Sequence, residues 1–221
     1  MRVPQIENYS EIKGNYKVKI PKIEKCDMHV NLVTDKDRVK FVKDCERIIR
    51  GSMEYRDYIN YVKEFKGMDR CKIMQNLPKN VRKEVHHEPF TLFDITNVVV
   101  NKFIREGNEL NYFHVANEVM KLHYQNKVGL ITLSLTFHKL LHAGKIFIPL
   151  QWVEPGFLRF CREYEQDIPE ELMNMLKEKL KISREIFNGD RKHDLSILDK
   201  HYIYIEQDGV EVPFLVEGRD E

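Results

Sequence analysis

The sequence is poor in the features that mark a secreted, membrane-embedded or disordered chain. Its four cysteines, Cys26, Cys45, Cys71 and Cys161, are widely separated and form no CxxC pair. That spacing encodes neither a disulfide framework nor a four-cysteine zinc site, and it fits a reducing compartment. No stretch approaches the roughly 18 apolar residues needed to span a bilayer, so no membrane partner is expected. The N-terminal MRVPQIENYSEIKGNYK lacks the apolar segment of a standard secretion signal. Internal repeats and low-complexity tracts are also missing.

The chain has 42% hydrophobic and 32% charged residues, the balance of a globular protein. At 221 residues it is long enough to bury one good core with flanking helical parts. The net charge of +1 hides an asymmetry. Residues 1–150 hold 26 Lys+Arg against 18 Asp+Glu, whereas residues 151–221 hold 10 against 17. A basic body followed by an acidic region points to polyanion binding by the body, with an ordinary solvated surface as the competing explanation.

Residues 15–34 mix β-branched and basic residues around Pro21, and the alternation in KVKI suggests a short strand or extended arm. Helical periodicity begins at Thr34-Asp35 and stops at Gly51, then resumes from about Ser52 to Gly67, predicting a helical hairpin. CKIM at 71–74 and KEVHH at 83–87, separated by the turn-rich NLPKN, read as a β-hairpin. Two helices follow, ending near Gly107 and Leu122, and they suggest a helix-turn-helix-like pair. GLITL at 129–133 is extended, Ser134 or Thr136 caps a short helix through His142, and KIFIPLQWV is extended again. Helices starting near Pro155 and Pro169 come next, then a hairpin turning at Asp208-Gly209.

Four of the nine histidines fall in two tight pairs: His86-His87 at a predicted strand end, and His138/His142 four apart on a short helix. Residues four apart share a helix face, so both imidazoles can address one ion. Neighbours on a strand point to opposite faces, which separates the roles of His86 and His87. His114 and His123 read as ordinary core or surface histidines.

The segments RCKIM, KEVHHEP and NKVGLITLSLTFHKLLHAGK, spanning residues 70–146, combine HHxP with HxxxHxG. In that order they resemble the HNH endonucleases of the ββα-metal fold, as found in bacteriophage and mobile-element genomes. The resemblance implies an α+β fold, a mainly helical chain around an HNH-like core at 70–150 with a helical insertion at about 92–123. An N-terminal arm and helical hairpin (1–69) and an acidic C-terminal region (151–221) flank it. It implies His86, His138 and His142 as metal ligands and His87 as general base. Asn126, with Asn117 as fallback, matches the Asn that orients the base. The family's zinc knuckle is missing, because Ser134 and Phe137 stand at two of its positions and Met74 at a third.

The implied activity is hydrolysis of phosphodiester bonds in DNA in the bacterial cytoplasm. Its divalent ion is Mg or Mn by family habit, and Zn or Ni by the softness of three imidazoles. A histidine of ordinary pKa, near 6.5, can take a proton from water at neutral pH. Lys79, Arg82, Lys83, Lys139 and Lys145 would contact phosphates. The alternative is a non-catalytic DNA-binding or interaction protein on a degenerate fold of this type. A metalloprotease is disfavoured, since Lys139 stands where HExxH needs its glutamate.

Overall fold

A computed structural model describes residues 32, 34–78, 80–207 and 210–215. Of the arm expected at 15–34, residues 15–31 and 33 lie outside the described residues, as do Lys79 and the Asp208-Gly209 turn. The chain is α+β, with seven α-helices and two small antiparallel sheets among the described residues.

The helices start where short polar side chains can cap them. Helices α1 (Asp35–Gly51) and α3 (Leu92–Arg105) open with capping boxes, Thr34 with Asp37 and Thr91 with Asp94. Ser52 caps α2 (Met53–Phe65) and Asn111 caps α4 (Tyr112–Tyr124). Each helix buries one stripe. Phe41, Val42, Cys45 and Ile49 of α1 and Val115, Ala116, Val119 and Met120 of α4 enter one core, with Ile95, Val98 and Val99 of α3. The pair α3–α4 therefore packs on the N-terminal hairpin.

The first sheet corrects the hairpin expectation. Strand β1 (Lys83–His87) pairs with β2 (Leu130–Ser134), not with CKIM, in the register Lys83↔Ser134 and His87↔Leu130. The 71–74 segment is irregular. Cys71 is fully buried, and the segment reaches β2 through one backbone bond, Lys72 N–H to Thr132 O at 2.9 Å. Burial of Cys71 and the NLPKN turn hold it off the strand line.

All five residues of β2 are buried, and the chain passes directly into α5 (Leu135–His142). Ser134 makes that junction: its Oγ accepts from the Phe137 N–H at 3.3 Å and bonds the Tyr202 hydroxyl at 2.9 Å. Phe137 stacks on Tyr202 with ring centroids 5.5 Å apart, fixing the roll of α5. The predicted extended run at 145–153 is irregular and ends in a 3-10 turn at Leu150–Trp152, with Ile146, Ile148 and Leu150 buried. Helices α6 (Phe157–Glu163) and α7 (Glu170–Asn188) follow, the latter ending at Gly189 with φ of 82°. Strands β3 (Tyr202–Gln207) and β4 (Val210–Leu215) form the second sheet.

Candidate metal centre

The order β1, long excursion, β2, α5 brings the end of β1 against one face of α5. His86, His138 and His142 converge there, each offering a nitrogen, with all three nitrogens within 4.8 Å of one another. The Nε2 atoms of His138 and His142 are 3.1 Å apart. Ligand nitrogens on a tetrahedral ion at Zn–N near 2.0–2.1 Å stand roughly 3.3 Å apart, so the residues fit a transition metal. His86 is buried, His138 half-buried and His142 exposed, so the cluster opens to solvent on the α5 side.

Two carboxylates back the cluster. Glu84 Oε2 lies 3.2 Å from His138 Nδ1, and Glu84 Oε1 lies 2.7 Å from the Arg82 guanidinium. An Nδ1–H donating to Glu84 leaves the His138 Nε2 lone pair free. Glu88 Oε2 lies 3.7 Å from His86 Nε2, while Lys179 of α7 pairs with Oε1. Burial pushes Glu88 up, but the contacts with His86 and Lys179 outweigh it and hold the carboxyl below its usual range. Burial, followed by the nearby His86, lowers the pKa of both His138 and His142, with His142 adding to the effect on His138 and Arg50 to that on His142. Both changes favour unprotonated imidazole, the form that binds metal.

His87 is not brought to the cluster. It occupies the other face of β1, where its Nε2 meets His123 Nε2 at 2.8 Å. His123 Nδ1 bonds the Val119 carbonyl at 2.7 Å, which requires Nδ1–H to donate. His123 Nε2 is then the acceptor and His87 Nε2–H the donor. Tyr55 stacks beside His87, and Tyr58 stands edge-on to His123. Burial, followed by the neighbouring His123, lowers His87 well below an ordinary imidazole, and burial lowers His123 to about 4.

The remaining expected residues are also dispersed. Asn126 is the residue that turns the chain after α4, with φ of 52°, and its side-chain oxygen accepts from Lys66. It therefore does not orient His87, and Asn117 is exposed on α4. Arg82 is spent on Glu84, Lys83 is half-buried on β1, and Lys139 and Lys145 are exposed. Part of the charge asymmetry is neutralised internally, through Arg105–Asp167 at 2.7 Å and Lys127–Glu163. Sequence reading missed the backing carboxylates and the His87–His123 pair. The second was within reach, because Ala116, Val119, Met120 and His123 share one helical stripe.

Fold and site together define an α+β protein with a three-histidine cluster between a strand end and a short helix. A family model described as Bacteriophage G278-like virion protein matches residues 3–210, and the chain belongs to that family. No curated protein and no solved structure matches it. Among the described residues no helix is long and apolar enough to cross a membrane.

Proposed function

We propose that His86, His138 and His142 hold a divalent transition metal, and that this virion protein is a metal-dependent endonuclease with an HNH-like ββα arrangement. The observation that carries this reading is the convergence of the three imidazoles at a solvent-open point between β1 and α5. Structural zinc sites are closed by four protein ligands, whereas three ligands and an open side are the pattern of catalytic sites. A bound ion supplies Lewis acidity, polarising a phosphoryl oxygen and acidifying water.

The chain's own residues set the rest. Glu84 fixes the His138 tautomer, and Glu88 faces His86. Exposed Lys139, on the same helix as two ligands, and Lys145 just beyond it can meet a phosphate backbone. His87, engaged with His123 on the far face of β1, serves the strand's position rather than proton transfer. The turning of His87 away from the cluster favours a second reading, a metal-stabilised interaction protein of the phage particle.

The test is cleavage of supercoiled plasmid DNA by the purified protein with Mn, Zn, Co or Mg against EDTA, with His142→Ala alongside. The endonuclease reading expects nicking that requires both metal and His142. Metal binding that raises the melting temperature without any cleavage would replace it with the second reading.

A further inference from the structure

Two of the three histidines face a carboxylate that a cation holds from its other side, His138 Nδ1 at hydrogen-bond distance from Glu84 (3.2 Å) and His86 Nε2 at the longer ion-pair distance of 3.7 Å from Glu88. His138 faces one oxygen of Glu84, whose other oxygen is held by Arg82 at 2.7 Å. His86 faces one oxygen of Glu88, whose other oxygen is held by Lys179. Each is a chain of cation, carboxylate and imidazole, with the carboxylate's two oxygens divided between its partners.

The chains differ in origin. Arg82, Glu84 and His138 lie on or beside β1 and α5, and Arg82 is largely exposed. Lys179 comes from α7, in the acidic C-terminal region, and its ammonium also bonds the Pro89 carbonyl at 3.3 Å. The Glu88 side chain is only 6% exposed, so its charge requires a partner. Glu88 is also held from behind, since its N–H donates to the Gly129 carbonyl at 3.1 Å. The Glu88 backbone is thus fixed by the residue that precedes β2 and its carboxylate by α7, which leaves Oε2 turned toward His86.

We propose that Lys179 is a positioning residue of the metal centre: by clamping Glu88 from α7 it aims His86 at the ion, as Arg82 and Glu84 aim His138. This rests on the metal-site reading above. It gives the C-terminal helix, which contributes no ligand of its own to the cluster, a direct hold on metal affinity. Partners that orient metal-ligating histidines typically change affinity by about 10–100-fold when removed.

The experiment measures cobalt affinity of the full chain from the visible absorption of the bound ion, with zinc displacing it, for wild type, Lys179→Met, Lys179→Arg, Glu88→Gln and His142→Ala. Wild type is expected to bind, and His142→Ala to lose the absorption. Lys179→Met and Glu88→Gln should each bind about 10-fold more weakly or worse, with Lys179→Arg close to wild type. Circular dichroism and melting of the metal-free variants separate lost affinity from lost fold. If Lys179→Met does not fold, Glu88→Gln, which keeps shape and a Lys179 contact, carries the test. Folded Lys179→Met or Glu88→Gln binding cobalt as tightly as wild type would overturn the positioning role while leaving the metal site standing. No binding by wild type would overturn both.

Discussion

Acidification should destabilise this protein through the His87–His123 pair before any carboxylate is involved. In the native state burial lowers His123 from 6.5 to about 4, so the folded protein keeps it neutral where the unfolded chain protonates it. For a depressed histidine the sign is fixed. There is no penalty above 6.5, stability falls as pH drops below it, and the loss levels off near the folded pKa. At about 1.4 kcal/mol per pH unit, going from pH 7 to pH 5 removes about 2 kcal/mol through His123 alone. His87 shifts in the same direction and adds to it. With a urea m-value of about 2 kcal/mol/M, the unfolding midpoint should fall by about 1 M. Urea titrations of metal-free protein near those two pH values would measure this, with His123→Gln as the comparison. The glutamine can still accept from His87 but does not titrate, so its midpoint should move less. Equal losses in the two proteins would refute the reasoning.

The other predictions concern the framework and the ion. Ser134→Ala removes the cap of α5 and a hydrogen bond to the Tyr202 hydroxyl, and should cost about 1–2 kcal/mol in chemical denaturation. Gly129→Ala would drive a Cβ into the Glu88 carbonyl and against Phe157, and should cost about 3 kcal/mol while weakening metal binding. Phe137→Ala empties a fully buried site under α5 and should cost about 4 kcal/mol, read from the same titrations. Zinc at about 100 times its dissociation constant should stabilise wild type by about 3 kcal/mol in a melting experiment and leave His142→Ala unmoved.

Local signals in the sequence were strong where one helix or turn decides the outcome. The stripes of α1 to α4, the cap at Ser134 and the helix starts near Pro155 and Pro169 obey short-range rules, and the elements lie close to their expected places. The His138/His142 pair was readable because helical spacing alone puts both rings on one face. The hairpin was misread because the partner of β1 is chosen by tertiary packing. KEVHH could pair with any nearby extended segment, and it pairs with the fully buried LITLS instead of with CKIM. The roles of His87 and Asn126 came from motif order, and neither is where that order would need it: His87 faces His123, and Asn126 turns the chain. Lys179 carried no signal, since a lysine on an amphipathic helix looks solvated until its partner from another part of the chain is known.

The pairing of β1 with β2 closes over residues 88–129, a stretch that contains two helices, α3 and α4. Closing a loop of that length costs chain entropy that neighbouring contacts cannot repay early, so the sheet belongs among the late events of folding. The three imidazoles are far apart along the chain, and an ion meeting a chain without this sheet would find only the His138/His142 pair, four residues apart. A truncated fragment covering the motif but omitting α3 and α4 would lack the register that brings His86 to that pair. If the cluster takes up a metal, that uptake would report completion of the fold, because His86 reaches the α5 pair only once β1 and β2 are in register.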